Sequence, residues 1–152
     1  MNSKLRFFFL FISLFLILLN CQKDKDFRFP YVPVNLVIDI PTELAISPLE
    51  YRIFDNNNKP YYDTGYGGII VFKTAGNQFK AYDAACTHEV ENNSLCSVES
   101  SSSAILVKCP CCNSVFELVH GNVSTNESPA RYPLHEYNVS ISAYSNQLFV
   151  SN

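Results

Sequence analysis

Two short runs of metal-type ligands constrain this chain more than any other feature: Cys86-Thr87-His88 and Cys109-Pro110-Cys111-Cys112, separated by twenty residues. Each directly follows a stretch with strand character, Gln78-Phe79-Lys80-Ala81-Tyr82 and Ala104-Ile105-Leu106-Val107-Lys108. A thiolate and an imidazole one residue apart can both face inward across a tight turn, and Cys-x-x-Cys is a common spacing for two thiolates on one metal. Two such loops on neighbouring hairpins place four donors around one centre, so the strands that deliver them must end side by side.

The rest of the sequence supports such a scaffold. Val34-Asn35-Leu36-Val37-Ile38-Asp39-Ile40, closed by Pro41, reads as a strand, and Ile69-Ile70-Val71-Phe72-Lys73 reads as a buried one. Ser114-Val115-Phe116-Glu117-Leu118 leaves the second ligand run, and Tyr137-Asn138-Val139-Ser140-Ile141 and Gln147-Leu148-Phe149-Val150 close the chain. Asp55 to Pro60 and His120-Gly121-Asn122 are turns, and 91–103 is a polar, serine-rich loop. No segment after residue 20 has helical periodicity. Many short strands with frequent turns predict one all-β antiparallel sandwich or barrel over residues 34–152, and the 152-residue length fits a single domain.

The first twenty residues read differently. Lys4 and Arg6 precede an apolar run over 7–19, broken only by Ser13 and too short for a comfortable membrane span. It ends in Leu18-Leu19-Asn20-Cys21, which resembles a bacterial lipobox. The expectation is a lipoprotein signal peptide over 1–20, a lipid on Cys21, and a tether over 21–33; the alternative is an uncut N-terminal anchor. Gln22-Lys23-Asp24-Lys25-Asp26 is similar to the polar signal that sends some Gram-negative lipoproteins to the cell surface. The chain is therefore expected in the cell envelope, lipid-anchored outside the cytoplasm, at the outer membrane or on its surface. Net charge falls from -3 to about -5 once Lys4 and Arg6 leave, and nothing points to nucleic acid.

That location changes how the cysteines read, because disulfides persist outside the cytoplasm. Six cysteines less Cys21 leave Cys86, Cys96, Cys109, Cys111 and Cys112. Five cannot all pair within the chain, so at least one has another task. An iron-sulfur cluster, a structural zinc, and a purely disulfide-bonded module all remain open at this point.

The two ligand runs resemble the Rieske family, whose pattern is Cys-x-His followed by Cys-Pro-Cys-His-Gly-Ser. The resemblance is sharpest over residues 84–116, with a weaker echo in Gly121, Ser128-Pro129-Ala130 and Pro133-Leu134. It implies a Rieske-like β fold and a [2Fe-2S] cluster, with Cys86 and Cys109 on the buried iron and His88 on the outer one. It carries over Ser114 as a hydroxyl able to donate to a bridging sulfide, and it implies a Cys96–Cys111 disulfide tying the loops. Three positions depart from the pattern. Cys112 stands where the family has its second histidine, giving a Cys3His set of Cys86, His88, Cys109 and Cys112. Phe116 replaces a tyrosine that donates to a ligand sulfur in many high-potential members, and Asn113 replaces glycine. The added thiolate and the lost donor both push a reduction potential down.

His120 is expected to face solvent in a turn and His135 to lie on a strand edge, neither with a ligand partner at metal spacing. The resemblance implies one-electron transfer to a redox protein partner, by a carrier or an accessory to an oxidoreductase without a substrate pocket of its own. The alternative is a surface lipoprotein binding module whose Rieske-like fold is held by zinc or disulfides.

Overall fold

The computed structural model describes residues 27–152 apart from positions 61, 77, 125–127 and 143; the expected signal peptide and Cys21 lie outside the described residues. Among the described residues, ten strands follow in order: β1 (Val34–Asp39), β2 (Tyr51–Phe54), β3 (Asp63–Thr64), β4 (Ile69–Lys73), β5 (Phe79–Asp83), β6 (Glu99–Ser100), β7 (Leu106–Lys108), β8 (Val115–Glu117), β9 (Glu136–Ile141) and β10 (Gln147–Ser151). Two helical turns interrupt them, α1 (Ile40–Glu43) and α2 (Thr87–Glu91). At four and five residues, neither is long enough to carry a helical period, so no apolar periodicity marks them. No helix among the described residues is long and apolar enough to cross a membrane.

The strands form two antiparallel sheets. Seven follow the order β2-β4-β5-β9-β10-β1-β3, and three follow β6-β7-β8. Laid flat, the edges of a seven-stranded sheet would stand about 29 Å apart. Yet Phe54 on edge strand β2 shares one buried cluster with Val34, Leu36 and Ile38 of β1. The sheet must therefore curl, and the loop after β2 bridges the gap: Lys59 Nζ donates to the Val37 carbonyl at 3.3 Å and pairs with Glu43 at 2.5 Å.

β4 explains its own sequence. Ile69 and Val71 face the interior of the curled sheet, whereas Ile70 and Phe72 face a second cluster containing Val107, Phe116 and Leu118 of the smaller sheet. All four side chains are fully buried, so the run cannot alternate with polar residues. Burying each contributes on the order of 1.5–3 kcal/mol. The second cluster also contains Cys86 and Cys109, so the ligand loops are set into the hydrophobic seam between the sheets.

The described part of the expected tether lies on the domain. Phe27 stacks on Tyr132 with ring centroids 4.5 Å apart, and Phe29 stacks on His135 at 4.5 Å with the planes 2° from parallel. His135 in turn meets the Tyr137 ring edge to face at 5.0 Å. Asn152 fastens the segment that follows, accepting from Val34 N at 2.7 Å and donating to the Val32 carbonyl at 3.1 Å.

Burial between these rings holds the His135 imidazole below its ordinary pKa, outweighing the attraction of Asp83. The unfolded chain therefore takes up a proton near pH 6.5 before the folded one does. Stability should fall as pH drops through about 6.5 and level off once the folded imidazole protonates. Asp39 and Glu43, whose hydrogen bonds lower their pKa values, act only at more acid pH. Urea unfolding between pH 7.5 and 5.5 should show this slope in the wild type, and His135→Gln should remove it.

Candidate metal centre

The first ligand loop is placed by a buried carboxylate at the end of β5. Asp83, fully buried, accepts from Tyr66 N at 2.7 Å, Gly67 N at 2.9 Å, Ala85 N at 2.7 Å and the Tyr137 hydroxyl at 2.6 Å. A side chain at Gly67 would come within 2.5 Å of Ala85 N, and only glycine permits the approach. Ala84 N then donates to the Gly68 carbonyl at 2.8 Å and Cys86 N to the Cys96 carbonyl at 2.9 Å. Cys86 is the N-cap residue of α2, so His88 sits on the first turn of a helix rather than in an open loop. Between them, buried Thr87 donates its hydroxyl to the Tyr132 carbonyl at 2.7 Å.

The second loop joins β7 to β8 and closes on itself. Cys109 N donates to the Ser114 carbonyl at 2.8 Å, and Asn113 N to the Cys109 carbonyl at 3.0 Å. Asn113 has φ of 64°, a left-handed conformation that asparagine adopts more readily than most residues. Cys96 and Cys111 form a disulfide that ties this loop to the segment after α2, leaving Cys86, Cys109 and Cys112 as free thiols. The three sulfurs all lie within 4.8 Å of one another, with Cys86 and Cys112 3.6 Å apart.

The four expected ligands divide into two pairs. Cys86 and Cys109 are fully buried, while Cys112 and His88 are half-buried. A His88 ring nitrogen, a Glu89 carboxylate oxygen and Cys112 Sγ also lie within 4.8 Å of one another. The Cys86 thiol is raised to about 12, chiefly by burial, with the Glu89 backbone amide opposing the rise and the neighbouring Cys109 and Cys112 sulfurs adding to it. The Cys109 thiol is raised for the same leading reason, against amides of Cys112 and Cys111. Three crowded thiols with amides aimed at two of them are a donor set that ionises when a cation neutralises it. Ser114, also buried, sits 3.0 Å from Cys112 Sγ and accepts from Ala130 N at 3.1 Å, which leaves its own proton for the sulfur side.

The other histidines stay apart. His120 is exposed beside Glu117 at 3.3 Å, and His135 is held in the aromatic stack. Sequence reasoning missed Asp83, Glu89 and Thr87. A carboxylate at the end of β5, three residues before Cys86, was the available signal for Asp83; Glu89 and Thr87 carried none.

No protein-family model matches the chain, and no curated protein matches it. Solved structures do resemble it. The ferredoxin of carbazole 1,9a-dioxygenase from Nocardioides aromaticivorans IC177 shares 16% identity over 79% of this chain and 97% of its own, with a TM-score of 0.47. The plasma-membrane Rieske protein of the cyanobacterium Synechocystis PCC 6803 shares 23% over 59% and 81%, at 0.46. A quaternary ammonium Rieske monooxygenase shares 12% over 78% of this chain and 30% of its own, at 0.50. The fold is the Rieske-type antiparallel β fold, as the two ligand runs implied.

Asp83→Asn would turn an amide N–H2 toward backbone donors and should destabilise the domain by about 2–5 kcal/mol, more than the roughly 1.5–3 kcal/mol expected for Tyr137→Phe. Denaturant unfolding of the disulfide-intact protein measures both, and equal or negligible losses would remove Asp83 from its role.

Proposed function

We propose that the domain is a one-electron carrier, with a [2Fe-2S] cluster held by Cys86 and Cys109 on the inner side and His88 and Cys112 on the outer side. The observation that carries this reading is the division of four donors, delivered by two facing loops, into a buried pair and a half-exposed pair while Cys96 and Cys111 are engaged with each other. A cluster bound there supplies one reversible electron. The protein's own groups set its energy. The backbone amides of Glu89, Cys111 and Cys112 favour charge on the sulfurs, and Ser114 is placed to donate at Cys112. Phe116, fully buried in the seam, offers no donor. The half-exposed His88 side is where a redox protein partner would approach. Cys21 carries the lipid in this reading, and the domain works outside the cytoplasm on the envelope membrane.

One observation favours a second reading. Two thiolates on one tetrahedral zinc stand about 3.8 Å apart, close to the 3.6 Å between Cys86 and Cys112, which the cluster reading assigns to different irons. In that case one zinc stabilises the fold of a surface binding module.

Voltammetry of the iron-loaded protein separates the two. The cluster reading expects a reversible one-electron wave below about -150 mV, the lower end of ordinary Rieske centres, because a thiolate replaces an imidazole. Cys112→His should raise the midpoint. Absence of a wave, or a midpoint that Cys112→His leaves unmoved, would overturn the assignment.

A further inference from the structure

The segment before the domain is fixed to it at one particular end. Phe27 packs on Tyr132, whose carbonyl receives the hydroxyl of Thr87, the residue between the ligands Cys86 and His88. Ala130, two residues earlier, donates to Ser114 beside Cys112. Phe29 packs on His135, whose carbonyl receives Asp83 N at 2.8 Å. Residues 27–29 thus rest on the short segment 130–135 that touches both ligand loops. β9 leads away from there: Tyr137 pairs with Ala81 near the site, and about 20 Å of strand separates that end from the hairpin tip at Tyr144, which is fully exposed.

Cys21 and Phe27 are six residues apart in the sequence, which even fully extended span only about 20 Å. A domain of this size is roughly 35 Å across. A lipid on Cys21 followed by a strap fastened at the far end would allow the metal centre to sit more than about 50 Å from the bilayer; fastened where Phe27 is, it cannot. We propose that residues 27–33 are a strap that holds the ligand-loop end of the domain at the membrane surface, so that the partner is a redox protein seated in or on that same membrane. This inference rests on the lipid-anchor reading above. A soluble carrier approaching from the bulk would instead need the His88 side turned outward and distant from the lipid.

The chain contains no tryptophan, so single reporters can be placed cleanly. Leu95→Trp marks the site end, beside Cys96, and Tyr144→Trp marks the opposite tip; Leu95 and Tyr144 are both exposed. The full-length protein with its metal, purified from membranes, is reconstituted into phosphatidylethanolamine/phosphatidylglycerol vesicles with and without dansyl headgroups. Flotation and mass spectrometry report the acyl chains on Cys21. Loss of tryptophan emission caused by the dansyl lipid should be several-fold greater for Leu95→Trp than for Tyr144→Trp, and adding Phe27→Ala and Phe29→Ala should bring the two together. Floating, acylated protein with equal transfer from both reporters, or greater transfer from Tyr144→Trp, would overturn the strap and leave the anchor standing. Protein that keeps Met1 and does not float would overturn the anchor, and the strap's role with it.

Discussion

Asp83 is the point on which both the scaffold and the site depend. A carboxylate taken wholly out of water is costly unless its lone pairs are filled, and here four donors fill them: two amides from the glycine turn before β4, one from Ala85, and the Tyr137 hydroxyl of β9. These contacts fix the direction in which the chain leaves β5, three residues before Cys86. They also seat Tyr137, against whose ring His135 and then Phe29 are stacked. The first ligand loop and the docking of the N-terminal segment therefore share one buried charge.

The second loop is disciplined by covalent and hydrogen-bond constraints instead. Pairing Cys96 with Cys111 removes two sulfurs from a crowd of five and leaves three free thiols, of which burial raises the pKa of Cys86 and Cys109. Closing a loop of fifteen residues contributes about 3 kcal/mol in the chain-entropy picture, comparable to one well-buried side chain. The departures at Cys112 and Phe116 leave this geometry intact, and their effect falls on the electronics of whatever the thiols hold.

Much of this was legible because the strands announce themselves. The first four residues of β4, Ile69, Ile70, Val71 and Phe72, are all apolar since both faces are buried there, and the ligand runs sit where strands end. The Cys96–Cys111 pairing followed from the family resemblance and is present, and Asn113, which stands where that pattern has glycine, takes the left-handed conformation. β2, β3 and β6 were not foreseen: the last two have two residues each, and Tyr51–Phe54 shows only partial burial along its length. α2 was hidden because five residues carry no period, so His88 came out on a helical turn. Asp83 and Glu89 act through tertiary neighbours that no local pattern encodes. Phe27 and Phe29 read as part of a tether because their partners, Tyr132 and His135, lie a hundred residues away in sequence.

The most direct measurement is the metal and acid-labile sulfide content of the protein, isolated without oxygen from its native host rather than after cytoplasmic overexpression. Two irons and two sulfides per chain, with visible absorption that bleaches on reduction, is the expected result. About one zinc per chain without sulfide, or no metal with Cys86, Cys109 or Cys112 consumed in a further disulfide, would contradict it.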